Sequence, residues 1–464
     1  MQKYVSFIRE NNNKITGKIL QEIITDHEEE RNLMIKLYAR YMASRKGVPI
    51  FNRKHPDYDE FSLRSVKRID DKVNNTLNNA FDGEIIDTAT GYFLGHPISY
   101  KYNDGEEANG TSPITTEIDT FNLRNHVEDA DAELGKMAII CGKAARLAYI
   151  EKGTGHERIK NIDPWQVIFI GDNIHEPDYS IRYFKDSEGK NRAEFYNDRY
   201  IYHFTEESGK YEEGEKEEHF FEFNPLFGLA NNKEKQGDAE KVLYLIDAYD
   251  RTLSDASNEI EQYRLAYMVF KGLRADDETA DDLPRTRIIE LLEKDDSVDY
   301  LTKDINDDLI EHHLDRLEKN ILKFAKSVDF SDDQFGTTVT GVAMRYKLLS
   351  LENKCITKER KMTAALRYQY KVIFSAWAKR KNVAKDDYLK VGFTFKRNLP
   401  VDVEGEAKTT SMLQGRVPEE KRLSLLSFIE DPKAALEEMQ KEQDDFDNRQ
   451  EPLGGEDVDE PTSD

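Results

Sequence analysis

The sequence predicts an α+β chain in which long amphipathic helices frame a central block of antiparallel strands. Three observations carry this. Two helical runs, at 238–270 and 306–329, repeat apolar residues at alternating spacings of four and three, a heptad seam. Between residues 160 and 225, short β-forming runs alternate with turn residues. A polar stretch, SDDQFGTTVTG at 331–341, separates the second helical run from a third, longer one.

Residues 1–81 read as helical and polar. Ile15 to Ser44 carries Ile19, Ile23, Leu33, Leu37 and Tyr41, and Lys46-Gly47-Val48-Pro49 stops it. From 82 to 237 the pattern becomes α+β. GYFLGHPISYKY (Gly91–Tyr102) mixes β-formers with Gly and Pro, and a helix is expected from about Thr116 to Tyr149. Strands are expected at WQVIFI (Trp165–Ile170), YSIRYF (Tyr179–Phe184), AEFYNDRYIYHF (Ala193–Phe204) and HFFEF (His219–Phe223). Gly171-Asp172, Ser187-Glu188-Gly189 and Ser208-Gly209 mark the turns of an antiparallel sheet.

The clearest element is 238–270, with Val242, Ile246, Tyr249, Leu253, Ala256, Ile260, Tyr263, Tyr267 and Phe270 on its seam. Asp238 is placed as its N-cap and Lys271-Gly272 as its end. At ~1.5 Å per residue this helix is about 50 Å long and needs a partner along its length. Residues 306–329 fit, with Asn306 or Asp307 as cap and Ile310, Leu314, Leu317, Ile321, Phe324 and Val328 on the seam. Between the two, RIIEL (Arg287–Leu291) and VDYL (Val298–Leu301) flank Lys294-Asp295-Asp296-Ser297, which predicts a hairpin. The polar stretch follows, with only Phe335 and Val339 as apolar anchors between Asp333 and Gly341. A third helix is expected from Val342 to Arg380. The strand YLKVGFTFKR (Tyr388–Arg397) is expected to return to the sheet of 160–225. Residues 409–440 read as helical, and 441–464 as disordered, being charged and poor in apolar residues.

The formal net charge of −24 argues against a protein that wraps nucleic acid through its phosphates. The acid is concentrated: Glu430 to Asp464 holds fourteen acidic residues against Lys433, Lys441 and Arg449. Two cysteines, Cys141 and Cys355, are too few for a disulfide framework and sit in helical patterns, so buried free thiols are expected. No apolar run reaches the ~18 residues of a membrane span, and MQKYVSFIRENNNK lacks the apolar core of a signal peptide.

Chemistry is sparse. The sequence holds no G-x-x-x-x-G-K-[ST], H-E-x-x-H, G-x-S-x-G or paired C-x-x-C. Its ten histidines are scattered; His312-His313 point to different faces of a helix, and His156-Glu157 lies by a turn. One stripe has a functional reading. Arg316, Lys319, Lys323 and Lys326 share a face of the second heptad helix. Alone, the stripe is a solvated helix face; repeated around a ring, it forms belts of positive charge that touch passing phosphates without holding them.

Four stretches, in their order and spacing, resemble one family. They are NNTLNNAFDGEIIDTATGYFLGHPISY (Asn74–Tyr100), DAEKVLYLIDAYDRTLSDASNEIEQ (Asp238–Gln262), YLTKDI (Tyr300–Ile305) and SDDQFGTTVTGVAMRYKL (Ser331–Leu348). Together they are similar to tailed-bacteriophage portal proteins of the Gp6-like siphophage family, over roughly residues 60–435. The resemblance implies a ring-forming portal fold, commonly a dodecamer, around a channel for double-stranded DNA. It implies long stem helices at 238–271 and 306–330 and a small α/β clip at 272–305. The α+β wing with its antiparallel sheet takes 1–81 and 82–237, and the long helix with its returning wing strand takes 342–398. A helical crown at 399–440 and the acidic tail at 441–464 complete it.

On the same grounds, the tunnel loop, Ser331, Asp332, Asp333, Gln334, Phe335, Gly336, Thr337, Thr338, Val339, Thr340 and Gly341, faces non-specifically passing DNA. The stripe Arg316, Lys319, Lys323 and Lys326 faces the channel. The clip, with Arg285 and Arg287, docks terminase before packaging and head-completion or connector proteins after it. Major capsid and scaffolding proteins are the remaining partners. No cofactor, metal, membrane or enzymatic activity is implied, ATP hydrolysis being left to the terminase. The chain is expected at one capsid vertex of the virion after assembly in the host bacterial cytoplasm. The alternative is a helical-hairpin scaffold or adaptor of the virion without a DNA channel. A nuclease or NTPase is disfavoured by the missing phosphate loop.

Overall fold

The computed structural model describes residues 3–53, 74–103, 112–263, 267–271, 297–301, 307–328, 341–380, 383–398, 403–426, 429 and 432–450. The chain divides into two compact units, residues 1–330 with 348–398, and residues 331–347 with 399–464. The α+β class expected from sequence is what the structure contains, with every strand pair antiparallel.

The first unit opens with α1 (Lys3–Glu10) and α2 (Gly17–Tyr41). Thr16 caps α2 by accepting the Ile19 N–H, and Leu20, Ile23, Met34 and Leu37 are buried along it. Ile23 and Leu37 are buried as expected, while Leu33 is exposed and Met34 takes the buried place beside it. A segment without helix or strand, 74–80, leads into α3 (Phe81–Leu94), so Gly91–Leu94 finish a helix and only β1 (Ser99–Tyr102) is strand. The single helix expected at 116–149 is instead α4 (Pro113–Arg124), α5 (Val127–Cys141) and β2 (Lys143–Ile150). Gly142 makes the break. It is left-handed at φ +81, its N–H bonds to Ala138 O at 2.8 Å, and a Cβ there would collide with the Lys235 carbonyl oxygen.

β4 (Val167–Ile170), β5 (Tyr179–Lys185), β6 (Asn191–Tyr196), β7 (Tyr200–Glu207) and β8 (Lys210–Glu218) form a five-stranded sheet in sequence order. β8, KYEEGEKEE, is almost wholly exposed and charged, as suits an edge strand. Ser208 and Gly209, at φ +51 and +79, make the tight turn that pins it to β7. HFFEF is not a strand. His219–Phe223 is irregular, with Phe220 at φ +70, and the next strand is β9 (Leu226–Ala230). A second sheet runs β3 (Glu157–Ile162), β2, β9. Helices α1 and α2 bury Ile8, Leu20 and Ile23 on Ile168, Ile181, Phe195 and Phe204 of the larger sheet.

Residues 238–270 are not one helix. After a 3-10 turn, α6 (Leu243–Tyr263) covers 21 residues, about 32 Å. Tyr267 and Phe270, expected on its seam, lie in β10 (Tyr267–Lys271), which pairs with β11 (Ser297–Leu301). The VDYL strand therefore has a partner in Tyr267–Lys271, while RIIEL lies outside the described residues. α7 (Asp307–Ala325) returns, placing Ile321 and Ala325 on Val242 and Ile246 at the foot of α6. On α7 the buried residue at the end of the seam is Ala325, and the expected Phe324 is 57% exposed.

α8 (Gly341–Arg380) buries Tyr370, Phe374 and Trp377 with Phe121 of α4 in a third core. β12 (Val391–Thr394) pairs with β1, from Ser99 opposite Thr394 to Tyr102 opposite Val391, and not with the sheet of 160–225. Cys141 and Cys355 are buried free thiols, and burial pushes both up to about 12. The second unit contains α9 (Val403–Met412), α10 (Glu419–Leu423) and α11 (Pro432–Gln450). α11 runs past 441, so the expected disorder does not begin there; residues 451–464 lie outside the described residues.

Two buried histidines carry a pH dependence. His27 meets the Tyr183 hydroxyl at 2.9 Å, and burial, with Lys143 nearby, lowers it to about 3. His175 lies 2.9 Å from Asn173 Oδ1 and 3.3 Å from the Ala230 amide, and burial lowers it to about 4. An imidazole with a depressed folded pKa stabilises fully above the unfolded value of about 6.5 and loses that contribution as pH falls. Between pH 7 and 5 each should cost about 2 kcal/mol. Urea unfolding at the two pH values should show the loss, and His27→Gln with His175→Gln should flatten it. An unchanged pH slope in the double variant would remove the histidines from the account.

Candidate functional site

The candidate site is the helical hairpin α6–α7 and the structure that anchors it. Its seam is only partly covered by the described residues: Val242 and Ile246 are buried at the foot, Tyr249, Leu253 and Ala256 are half-buried, and Ile260 is exposed. Tyr244, Leu309 and Phe324 are exposed on the same hairpin.

Residues 74–80 run along α6 in the opposite direction. The amides of Asn75, Leu77 and Asn79 donate to Asn258 Oδ1 (2.7 Å), Ser254 Oγ (2.9 Å) and Asp250 Oδ1 (3.1 Å). The periods match. Two extended residues advance about 6.6 Å and four helical residues about 6 Å, so alternate strap amides meet every fourth helix side chain. Asn75 Nδ2 adds a bond to Glu261 Oε2 at 2.8 Å. Below the strap, Arg40 of α2 forks onto Asp82 of α3 at 2.9 and 3.1 Å and reaches Asp247 of α6 at 2.7 Å. Burial, with Asp82 and Asp247 nearby, raises Asp250 to about 6. Its sign is opposite to the histidines', since a raised carboxyl gains stability as pH falls through 6.

The foot of the hairpin is an ionic joint. Asp238 is not a helix cap: it is buried, and the 3-10 turn that follows has no side-chain cap. Its carboxylate meets Lys358 Nζ at 2.6 Å and Lys354 Nζ at 2.9 Å, both on α8, and accepts from Asn231 Nδ2 at 2.8 Å. Burial alone would raise it; the two ammonium groups hold it near 2. Lys358 also donates to Asn231 Oδ1, and burial lowers its own pKa. Lys354 donates to the carbonyl of Ala325, the last residue of α7, at 2.7 Å.

Of the basic stripe, Arg316, Lys319 and Lys323 are exposed on α7, and Lys319 lies 3.7 Å from Asp315. Lys326 is exposed but off the helix. It sits in the left-handed conformation at φ +54; its amide bonds to Lys323 O at 3.3 Å and the Ser327 amide to Leu322 O at 2.9 Å. These two bonds are a Schellman termination, with lysine where glycine is usual. Gly341 opens α8. Residues 331–340, and Arg285 and Arg287, lie outside the described residues. Among the described residues no group of three or more His, Cys, Asp or Glu could hold a metal ion, and no helix is long and apolar enough to cross a membrane.

Sequence reasoning did not find Asn231, Lys354, Lys358 or the ladder on α6. The ladder left a trace: Asp250, Ser254 and Asn258 recur every fourth residue beside the apolar seam. The joint left none, since its carboxylate and its lysines are more than a hundred residues apart.

A family comparison covers nearly all of these elements. The profile described as "Phage portal protein, SPP1 Gp6-like" matches residues 20–448. The chain belongs to the phage portal protein family. It is 23% identical over 456 residues to the portal protein of Bacillus phage SPP1, covering 92% of this chain and 86% of that protein. It is 23% identical over 440 residues to the portal protein of Clostridium phage phiCD119, covering 87% of this chain and 92% of that one. The portal family match takes in the strap, both hairpin helices and the joint.

The strap can be probed directly. Ser254→Ala removes the acceptor of the Leu77 amide and should cost about 1–2 kcal/mol. Hydrogen exchange should quicken at Leu77 and its neighbours while the five-stranded sheet stays protected. Unchanged exchange at Leu77 would mean the ladder does not hold the strap.

Proposed function

We propose that copies of this chain close into a ring, with twelve subunits, at one capsid vertex, and that the ring's channel passes double-stranded DNA during packaging and ejection. The observation that carries this reading is the portal-family match across residues 20–448. The hairpin supports it, because a seam left half-covered in one subunit has further copies as its natural cover. In this reading α6 and α7 are the stem, β10 and β11 the described part of the clip, the sheets and helices of the first unit the wing, and α9 to α11 the crown. The clip, including Arg285 and Arg287, docks terminase and later the head-completion and connector proteins. Major capsid and scaffolding proteins surround the ring. The protein carries out no catalysis and takes no cofactor. It assembles in the host bacterial cytoplasm and remains in the virion.

Charge fits passage without retention. Each phosphate neutralised adds affinity through counterion release, so a channel that paired every phosphate would stall the duplex. A net charge of −24 with sparse exposed cations such as Arg316, Lys319 and Lys323 gives weak, sliding contact. In this reading the polar residues of 331–340 face the passing duplex.

Lys319→Glu with Lys323→Glu tests the channel. Both side chains are exposed, so folding and ring mass should be unchanged, and stability should move by less than about 0.5 kcal/mol. Nuclease-protected DNA in a packaging assay should fall sharply. Wild-type yields from intact variant rings would take the stripe out of the channel.

A further inference from the structure

Both ends of the stem converge on one lysine of α8. Asp238 stands just before α6, and Ala325 is the last residue of α7. Lys354 Nζ lies 2.9 Å from Asp238 Oδ2 and donates to Ala325 O at 2.7 Å. Lys358, one turn further along, lies 2.6 Å from Asp238 Oδ1 and donates to Asn231, at the end of β9. The two lysines thus divide the work. Lys358 neutralises the carboxylate against the wing, and Lys354 bridges the two feet of the hairpin.

We propose that Lys354 is a positioning residue: by holding both feet of the stem on α8, it sets the inclination of the stem and hence the bore of the channel. The proposal rests on the channel reading above. The mechanics follow from the packing. Val242, Ile246, Ile321 and Ala325 pack together at the foot, so α6 and α7 move there as one lever. With an arm of about 32 Å, a tilt of about 5° carries the far end roughly 3 Å. That distance matters in a pore shaped to a duplex. An ammonium has three donors and no fixed plane. It can keep a carboxylate and a carbonyl together while the lever settles, and the negative end of the α7 dipole adds to its hold.

The test uses the full chain, as wild type, Lys354→Met and Lys354→Arg, with Lys354→Gln in place of the first if it does not fold. In each, Lys358 and Asn231 keep their contacts with Asp238 Oδ1 and its charge stays paired, while in Lys354→Met the buried Oδ2 loses its partner. Loss of one charge-assisted bond at each foot should quicken hydrogen exchange about tenfold at 243–247 and 321–325 and leave 193–204 unchanged. Rings should retain normal mass, packaged DNA should be mostly lost, and Lys354→Arg should restore both readouts. Unchanged exchange at the feet overturns the tie. Quickened exchange with full packaging overturns the positioning role. A wild type that forms no rings overturns the channel reading, and exchange then still decides whether Lys354 ties the feet.

Discussion

The arrangement of the first unit turns on a buried carboxylate. Asp238 is 8% exposed, a position where an unpaired charge would cost several kcal/mol. It stays ionised because two ammonium groups and an amide side chain surround it. Its backbone is pinned too: the Asp238 amide donates to Ile139 O at 2.9 Å, and the Asn231 amide to Gly142 O at 2.9 Å. One residue therefore joins the end of α5, the end of β9, the start of the α6–α7 hairpin and the middle of α8. Removing the carboxylate would leave the buried Lys358 ammonium without its countercharge, costing about 3–5 kcal/mol. Such a joint is strong only when complete, which gives it a definite geometry rather than a range of them.

Further up, the hairpin is held by a different device. The strap reads α6 through its own main chain, so the contact depends on the helix side chains and on spacing more than on strap side chains. Arg40 then closes the gap between α2, α3 and α6 with three short bonds. The rest of the first unit thus grips the hairpin at two heights, one ionic and one by backbone amides. Above the foot, the described residues leave the apolar seam only partly covered.

Much of this was legible in the sequence. The heptad spacing located both hairpin helices, and three of the expected runs located four of the five strands of the larger sheet, AEFYNDRYIYHF being two strands, β6 and β7, that break at Asn197–Arg199. What failed did so for identifiable reasons. Periodicity alone could not see that Tyr267 and Phe270 continue the 4–3 spacing by coincidence, in a strand. KYEEGEKEE has no apolar alternation to announce β8; its hairpin turn and its place beside β7 make it a strand. HFFEF has the composition of a strand but the backbone of a turn at Phe220. Lys326 has the right spacing for the stripe, yet helix termination takes it off the face. Asp238 looked like a cap because it precedes a helix, and only the fold brings Lys354 and Lys358 to it.

The central claim is that this subunit is one sector of a ring whose stem lines a DNA channel. The most direct measurement is image reconstruction of the assembled full-length protein. The account predicts closed rings with a central hole wide enough for a duplex. The α6–α7 hairpins should surround that hole, with Arg316, Lys319 and Lys323 facing it and Ile260 covered by a neighbouring subunit. Monomers, open chains, or rings with the hairpins on the outer rim and the three cations facing bulk solvent would contradict it.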